Sequence, residues 1–265
     1  MVDLRVGDFL ARLRTQLRIL HALVLREMMT RFGRHNLGFF WLMGEPLILS
    51  LGVMLAWSAA DHKLGGDVGI VPFVLSGYTM LTLWRHIVGR SVHCFRHNAG
   101  LMYHRNVLPI DTLIARALLE VGGTGLAFVI AFIPLYLFGL VDRLYDPLLV
   151  VGGWLFLGWF TFGFGLIIAG LSEMNDIVER LIQPIMYITL PLTGMFFMVS
   201  WLPEDAARIV LYSPLVHCFE LFREGMLGHN VEAQWDLQYL FNCCVCFTAI
   251  GFLVIRKARS HISLE

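Results

Sequence analysis

Apolar residues in this 265-residue chain gather in long blocks separated by short polar stretches. Six blocks reach the roughly 20 residues that a helix needs to cross the hydrocarbon core of a bilayer. They are Leu37–Ala60, Ile70–Gly89, Ala117–Leu140, Leu148–Leu171, Leu181–Ser200 and Leu237–Ile255. Backbone in lipid must satisfy its own hydrogen bonds, so apolar runs of this length read as transmembrane helices. The expected fold is all-α and polytopic, with six spans.

Two further segments follow a different pattern. In Asp8–Phe32, part of an interfacial element over 8–34, Leu10, Leu13, Leu17, Leu20, Val24 and Met28 recur at helical spacing. Arg12, Arg18 and Arg26 lie off that stripe. This predicts an amphipathic helix on the cytoplasmic membrane surface; a helix packed on a soluble partner is the plainer alternative. Between the fifth and sixth spans, Trp201–Asp236 is greasy but interrupted. Ala206–Tyr212 is apolar and too short to cross, Ser213-Pro214 breaks it, and Leu215, Phe219, Phe222 and Met226 form a second set. Two short helices around a Pro break predict a periplasmic re-entrant hairpin, tolerated only against protein or a cavity.

Composition agrees with a membrane protein and excludes several other classes. Apolar residues make up 57% of the chain and charged residues 15%, too little polar surface to clothe a soluble core. The net charge is zero, a balance that does not point to a nucleic-acid partner. Sixteen of the 20 Lys and Arg fall in segments that face the cytoplasm if the N-terminus is inside; Lys63, Arg143, Arg208 and Arg223 are the rest. That asymmetry places both termini in the cytoplasm. Positions 1–36 carry seven Arg and no long apolar core, so a cleavable signal is not expected there. Of the five Cys, Cys243, Cys244 and Cys246 crowd into the sixth span. Their CxxC spacing lacks a second ligand pair, so membrane packing is favoured over a metal or redox role.

Candidate chemistry is sparse. The two Lys, Lys63 and Lys257, do not stand in a phosphate-binding Gly-Lys-Ser/Thr loop. No HExxH, GxSxG or gathered Ser/His/Asp set supports an enzyme. Glu45-Pro46 lies about 12 Å into the first span, where a carboxylate is costly unless it faces a cavity or a partner such as Arg85. Aromatics are dense. Most fit interface belts, while Tyr78, Trp159 and Phe160 sit mid-span, where ring faces could serve as weak platforms for sugars. The loop after the second span carries an apolar knob, Leu101-Met102-Tyr103, followed by His104-Arg105 and closed by Pro109. In a chain without a nucleotide site, such a knob is a candidate docking element for a soluble subunit.

Three blocks carry a resemblance that covers the chain in order. The stretch Arg26-Glu27…Arg31-Phe32-Gly33-Arg34…Leu37-Gly38-Phe39-Phe40-Trp41…Glu45-Pro46 resembles the opening of type-two ABC exporter permeases, in particular the capsular-polysaccharide export branch. Asp176…Gln183-Pro184…Leu190-Pro191-Leu192-Thr193-Gly194-Met195-Phe196-Phe197 resembles that branch's fifth span. Ser213-Pro214-Leu215-Val216-His217…Glu220-Leu221-Phe222-Arg223-Glu224-Gly225 resembles its outer gate segment.

The resemblance implies a single permease domain over 1–265 in the bacterial inner membrane, paired with a second copy of itself and with a separate ATPase dimer. ATP and Mg would be bound by that ATPase, with no cofactor in this chain. It also implies a lipid-linked glycan cargo, a periplasmic co-polymerase and an outer-membrane exporter. O-antigen and teichoic-acid permeases belong to the same family. On this reading Leu101, Met102, Tyr103, His104 and Arg105 couple to the ATPase. Trp41, Glu45, Tyr78, Trp84, Arg85, Trp159 and Phe160 include the lining of the glycan path. Pro214, Glu220 and Arg223 belong to the periplasmic gate, with both charges facing an aqueous vestibule, the other protomer or a periplasmic partner. The rival readings are a membrane-embedded enzyme of glycan or lipid assembly and a secondary transporter. The first lacks an acid, His or Lys cluster, and the second an inverted repeat.

Overall fold

A computed structural model describes residues 6–32, 48, 51–56, 68–98, 100, 107–228 and 231–259. The described residues form helices and turns. In chain order the helices are α1 (Val6–Phe32), α2 (Ile70–Ser91), α3 (Cys94–His97), α4 (Pro109–Leu137), α5 (Pro147–Met174), α6 (Asp176–Ile188), α7 (Glu204–Val210), α8 (Pro214–Leu227) and α9 (Leu237–Ala258). Residues 51–56, within the expected first span, are also helical.

The starts of these helices are written locally. Pro109, Pro147 and Pro214 open α4, α5 and α8, where proline's fixed φ fits and its missing N–H costs nothing. Asp146, Asn175 and Asp236 precede α5, α6 and α9, and each side chain accepts a hydrogen bond from a first-turn N–H.

α5 is the hub of the bundle, packed by α9, α8 and α2. Glycines allow these close approaches. A Cβ on Gly153 would lie 2.8 Å from the Phe222 backbone nitrogen of α8, and one on Gly163 would lie 2.9 Å from the Thr248 nitrogen of α9. Close backbone contact through small residues is how helices associate where lipid removes the hydrophobic drive.

α4, α5 and α9 are long and apolar enough to cross a membrane. Their outward faces carry exposed Leu126, Ile130 and Ile133 on α4, Val151 and Leu155 on α5, and Phe252 and Leu253 on α9. Such a surface suits hydrocarbon. α2 is of similar length but lies inside the bundle. Its Ser76, Thr79 and Thr82 hydroxyls donate to carbonyls three or four residues back, so polar residues are tolerated there.

The expected span Leu181–Ser200 is not one helix. α6 stops at Ile188 after 13 residues, about 20 Å of rise. A 3₁₀ turn at Leu190–Leu192, a turn through Gly194 and a second 3₁₀ turn at Val199–Trp201 follow. Pro191 and Gly194, the latter at φ +87° where only glycine is unstrained, end the helix within an apolar run.

α1 lies along α4 through a largely polar face. Gln16 donates to Asp111 at 2.5 Å, Glu27 meets Arg116 at 3.0 Å, and Arg26 donates to Asn98 at 2.7 Å. Of the apolar stripe, Leu13, Leu17 and Met28 remain exposed, the orientation suited to a membrane surface. Reporter fusions test the expected six crossings. A fusion after Arg259 should score cytoplasmic and one near Lys63 periplasmic. Activity of the C-terminal fusion only in the periplasm would overturn the topology.

Candidate functional site

A cleft of about 280 Å³ opens between α2 and α6, lined by Tyr78, Thr82, Arg85, His86, Arg90 and Gln183, among others. Arg85 donates to the Tyr187 hydroxyl at 3.2 Å, and its guanidinium carbon lies 5.3 Å from the centre of that ring. Behind the cleft Glu120 of α4 is fully buried, 3.1 Å from His86 Nδ1 and 3.1 Å from Arg90 Nε. The Arg90 carbonyl accepts from Arg116, which reaches Glu27 of α1. A continuous polar chain therefore runs from α1 to the cleft. Its cationic lining suits an anionic group.

The five described path candidates do not share one surface. Tyr78 and Arg85 line the cleft. Trp84 and Phe160 lie in the core, stacked at 6.3 Å, with Phe164 and Phe247 beside them. Trp159 is on the outer face of α5, donating to Thr248 Oγ1 at 3.1 Å and bordering an apolar groove with Leu118 and Leu155. Trp41 and Glu45 lie outside the described residues, as do Leu101, Met102, Tyr103, His104 and Arg105.

Next to that loop, α3 makes a charged joint. Arg96 reaches Asp176 at 2.9 Å, Glu179 at 3.3 Å and Glu173 at 3.9 Å, all at the α5–α6 turn. His93 adds a contact to Glu179 at 3.1 Å and holds φ at +58°, an uncommon left-handed position for a residue with a side chain. Sequence reasoning missed this joint and Glu120. An ionisable residue inside an apolar block was the available signal for Glu120, the same signal that singled out Glu45. The acids of the joint are distant in sequence from Arg96, and only folding brings them together.

On the opposite side Pro214 opens α8, and the expected placement of its charges requires correction. Glu220 and Arg223 are almost completely buried within their own chain. Arg223 donates to the carbonyls of Gly194 (2.7 Å), Met195 (2.6 Å) and Phe197 (2.7 Å). Its guanidinium also lies 4.0 Å from the centre of the Phe73 ring of α2. Glu220 accepts from the Val199 nitrogen at 3.1 Å and the Gln234 nitrogen at 2.9 Å. The reason is the broken helix: irregular backbone at 194–199 cannot pair internally, and buried carbonyls and N–H groups require partners. The two charges serve that backbone instead of a vestibule.

The ABC-2 type transporter family matches residues 18–227. The chain is 34% identical over 257 residues to the capsule polysaccharide export inner-membrane protein CtrC of Neisseria meningitidis, covering 97% of both chains. It is 34% identical to the corresponding protein BexB of Haemophilus influenzae, over 96% of this chain and 97% of that one. With the polysialic acid transport protein KpsM of Escherichia coli the identity is 31%, over 89% of this chain and 91% of the relative. Matched over most of its length, and with membrane-length apolar helices among its described residues, the chain belongs to the ABC-2 type transporter family of membrane proteins.

Proposed function

We propose that this chain is the transmembrane subunit of an ATP-driven exporter that moves lipid-linked capsular polysaccharide across the bacterial inner membrane. The observation that carries this reading is its correspondence over 97% of both chains with a capsule polysaccharide export protein. Two copies of the chain pair and form the path between them. A separate ATPase dimer binds ATP and Mg and performs the hydrolysis. A periplasmic co-polymerase and an outer-membrane exporter take the glycan onward.

The loop at Leu101–Arg105 receives the stroke of the ATPase. Supporting this is the joint beside it, where Arg96 ties α3 to the α5–α6 turn and Arg26 ties Asn98 to α1. A push on the loop would reach the broken α6 through those contacts. Trp41, Tyr78 and Arg85 contribute aromatic and cationic groups to the lining of the path, and Glu45 contributes a carboxylate. The outer segment 201–236 closes it, with Pro214, Glu220 and Arg223 setting its shape from within.

Deleting the gene in its host tests the reading. Capsule should disappear from the surface and its polysaccharide accumulate inside the cell. Expression of this chain should restore surface capsule, and a tagged copy should bring down an ATPase. Normal surface capsule in the deletion strain would overturn the proposal.

A further inference from the structure

A separate cavity, of about 350 Å³, lies at the start of α2, where the chain between α4 and α5 meets the last turn of α8. The Lys and Arg asymmetry assigns this end of the bundle to the periplasm. The lining includes Pro72, Val141, Asp142, Arg143, Tyr145 and Met226. Pro72 here and Tyr78 in the cleft are both on α2, about 9 Å apart along its axis and on different faces, so the cavity is not a continuation of the cleft. Its walls are fixed by backbone. The Asp146 N–H donates to the Gly225 carbonyl at 2.8 Å, which ties the α4–α5 connection to α8. Tyr145 rests against Gly228, which sits at φ +58°, and a Cβ there would lie 2.6 Å from Tyr145 Cγ. The tyrosine is thereby positioned, yet it remains 55% exposed. Asp142 and Arg143 are exposed as well, and neither side chain makes a hydrogen bond or ion pair among the described residues.

We propose that this cavity is an outer saccharide subsite, in which a sugar ring lies against Tyr145 and Met226 and its hydroxyls meet Asp142 and Arg143. The proposal rests on the export reading for the source of the sugar, the emerging glycan. Its chemistry comes from the walls. An anionic ligand would be repelled by the Asp142 carboxylate, and a cationic one by the Arg143 guanidinium. A hydrocarbon would gain nothing from either charge. A sugar ring uses all of the walls: its hydroxyls donate to the carboxylate and accept from the guanidinium, and its C–H face packs on the electron-rich face of an aromatic ring. A few placed polar groups over an apolar floor of Val141 and Met226 are the usual make-up of a small-molecule site. Lying outside the cleft at the periplasmic end, the subsite holds glycan that has already crossed and hinders its return between strokes of the ATPase.

Binding is read on the full chain in phosphatidylcholine nanodiscs. Lipid-free oligosaccharide cut from the host's own capsule is titrated in and followed by saturation-transfer NMR. The sugar protons should receive saturation from the protein. Arg143→Gln and Asp142→Asn should each weaken binding by about tenfold, the scale of losing a hydrogen bond to a charged group. Tyr145→Leu should weaken it similarly, and Tyr145→Phe, which keeps the ring, should retain most of it. Asp142 and Arg143 are exposed, so their variants keep the test valid if Tyr145→Leu misfolds. In the host, the double variant Asp142→Asn with Arg143→Gln should slow the appearance of surface capsule after induction; an unchanged rate would overturn the holding role. Absence of saturation transfer, or equal transfer in the parent, Arg143→Gln and Asp142→Asn, would overturn the subsite. Equal competition by a short acidic peptide would overturn the sugar assignment and give the cavity to a protein partner. Capsule lost on gene deletion without oligosaccharide binding sinks the subsite alone, whereas capsule kept on deletion sinks the export reading.

Discussion

Arg223→Met should unfold a large share of the protein, with a loss of about 3–5 kcal/mol. Methionine fills similar space but donates nothing, so the carbonyls of Gly194, Met195 and Phe197 lose a shared donor inside the protein. Three elements lose their common anchor: the segment after α6, the Phe73 face of α2, and α8 itself. Arg223→Lys should be intermediate, because one ammonium cannot reproduce the fork that spans three acceptors. Glu220→Gln should cost less, about 1 kcal/mol, since its amide oxygen still accepts while its NH₂ loses the place of one carboxylate oxygen. Heating detergent-solubilised protein and measuring the surviving monodisperse fraction by size exclusion ranks the variants. A Met variant that melts with the parent would show that the carbonyls find other partners and that Arg223 does not brace the outer segment.

Arg223 also marks where the sequence stops being informative. Its place on a helix face shared with Glu220 followed from spacing, and so did the break before Pro214. Whether that face looked into water or protein did not follow, because the partners are backbone carbonyls and carry no residue signature. The span Leu181–Ser200 failed for a related reason. Its residues are apolar enough for lipid, and Pro191 and Gly194 were outweighed by the run around them. The helices α2, α4, α5 and α9 were legible because composition over 20 residues decides membrane length. The cleft was half legible. Tyr78 stood out as a mid-span aromatic and Arg85 as a possible partner of Glu45, but His86, Arg90 and Gln183 join them only through the packing of α6 on α2. Trp84, Phe160 and Trp159 show the converse. They share a residue class with Tyr78, yet helix rotation sends them to the core and to the outer face.

Helix rotation supplies a sharper test at two adjacent glycines of α5. Gly153→Ala should destabilise by about 1–3 kcal/mol, whereas Gly152→Ala should be neutral or stabilising by up to about 1 kcal/mol. The added Cβ at 153 would meet the Phe222 nitrogen at 2.8 Å and the Cys218 carbonyl oxygen at 3.0 Å, both backbone atoms of α8 that cannot rotate away. At 152 no heavy atom lies within 4 Å of the new Cβ, so the residue gains helix propensity without a clash. The damage at 153 should also reach function, because pushing α8 outward moves Arg223, the next residue after Phe222, off its carbonyls. A double variant separates the two effects. If α5 positions the Arg223 brace, Gly153→Ala should cost less in an Arg223→Met background than in the parent, since part of what it disturbs is already gone. Thermal melts of the four proteins give that difference. Additive losses would leave the α5–α8 contact and the Arg223 brace as independent supports, and identical melts for the two single glycine variants would contradict the close packing of α8 on α5.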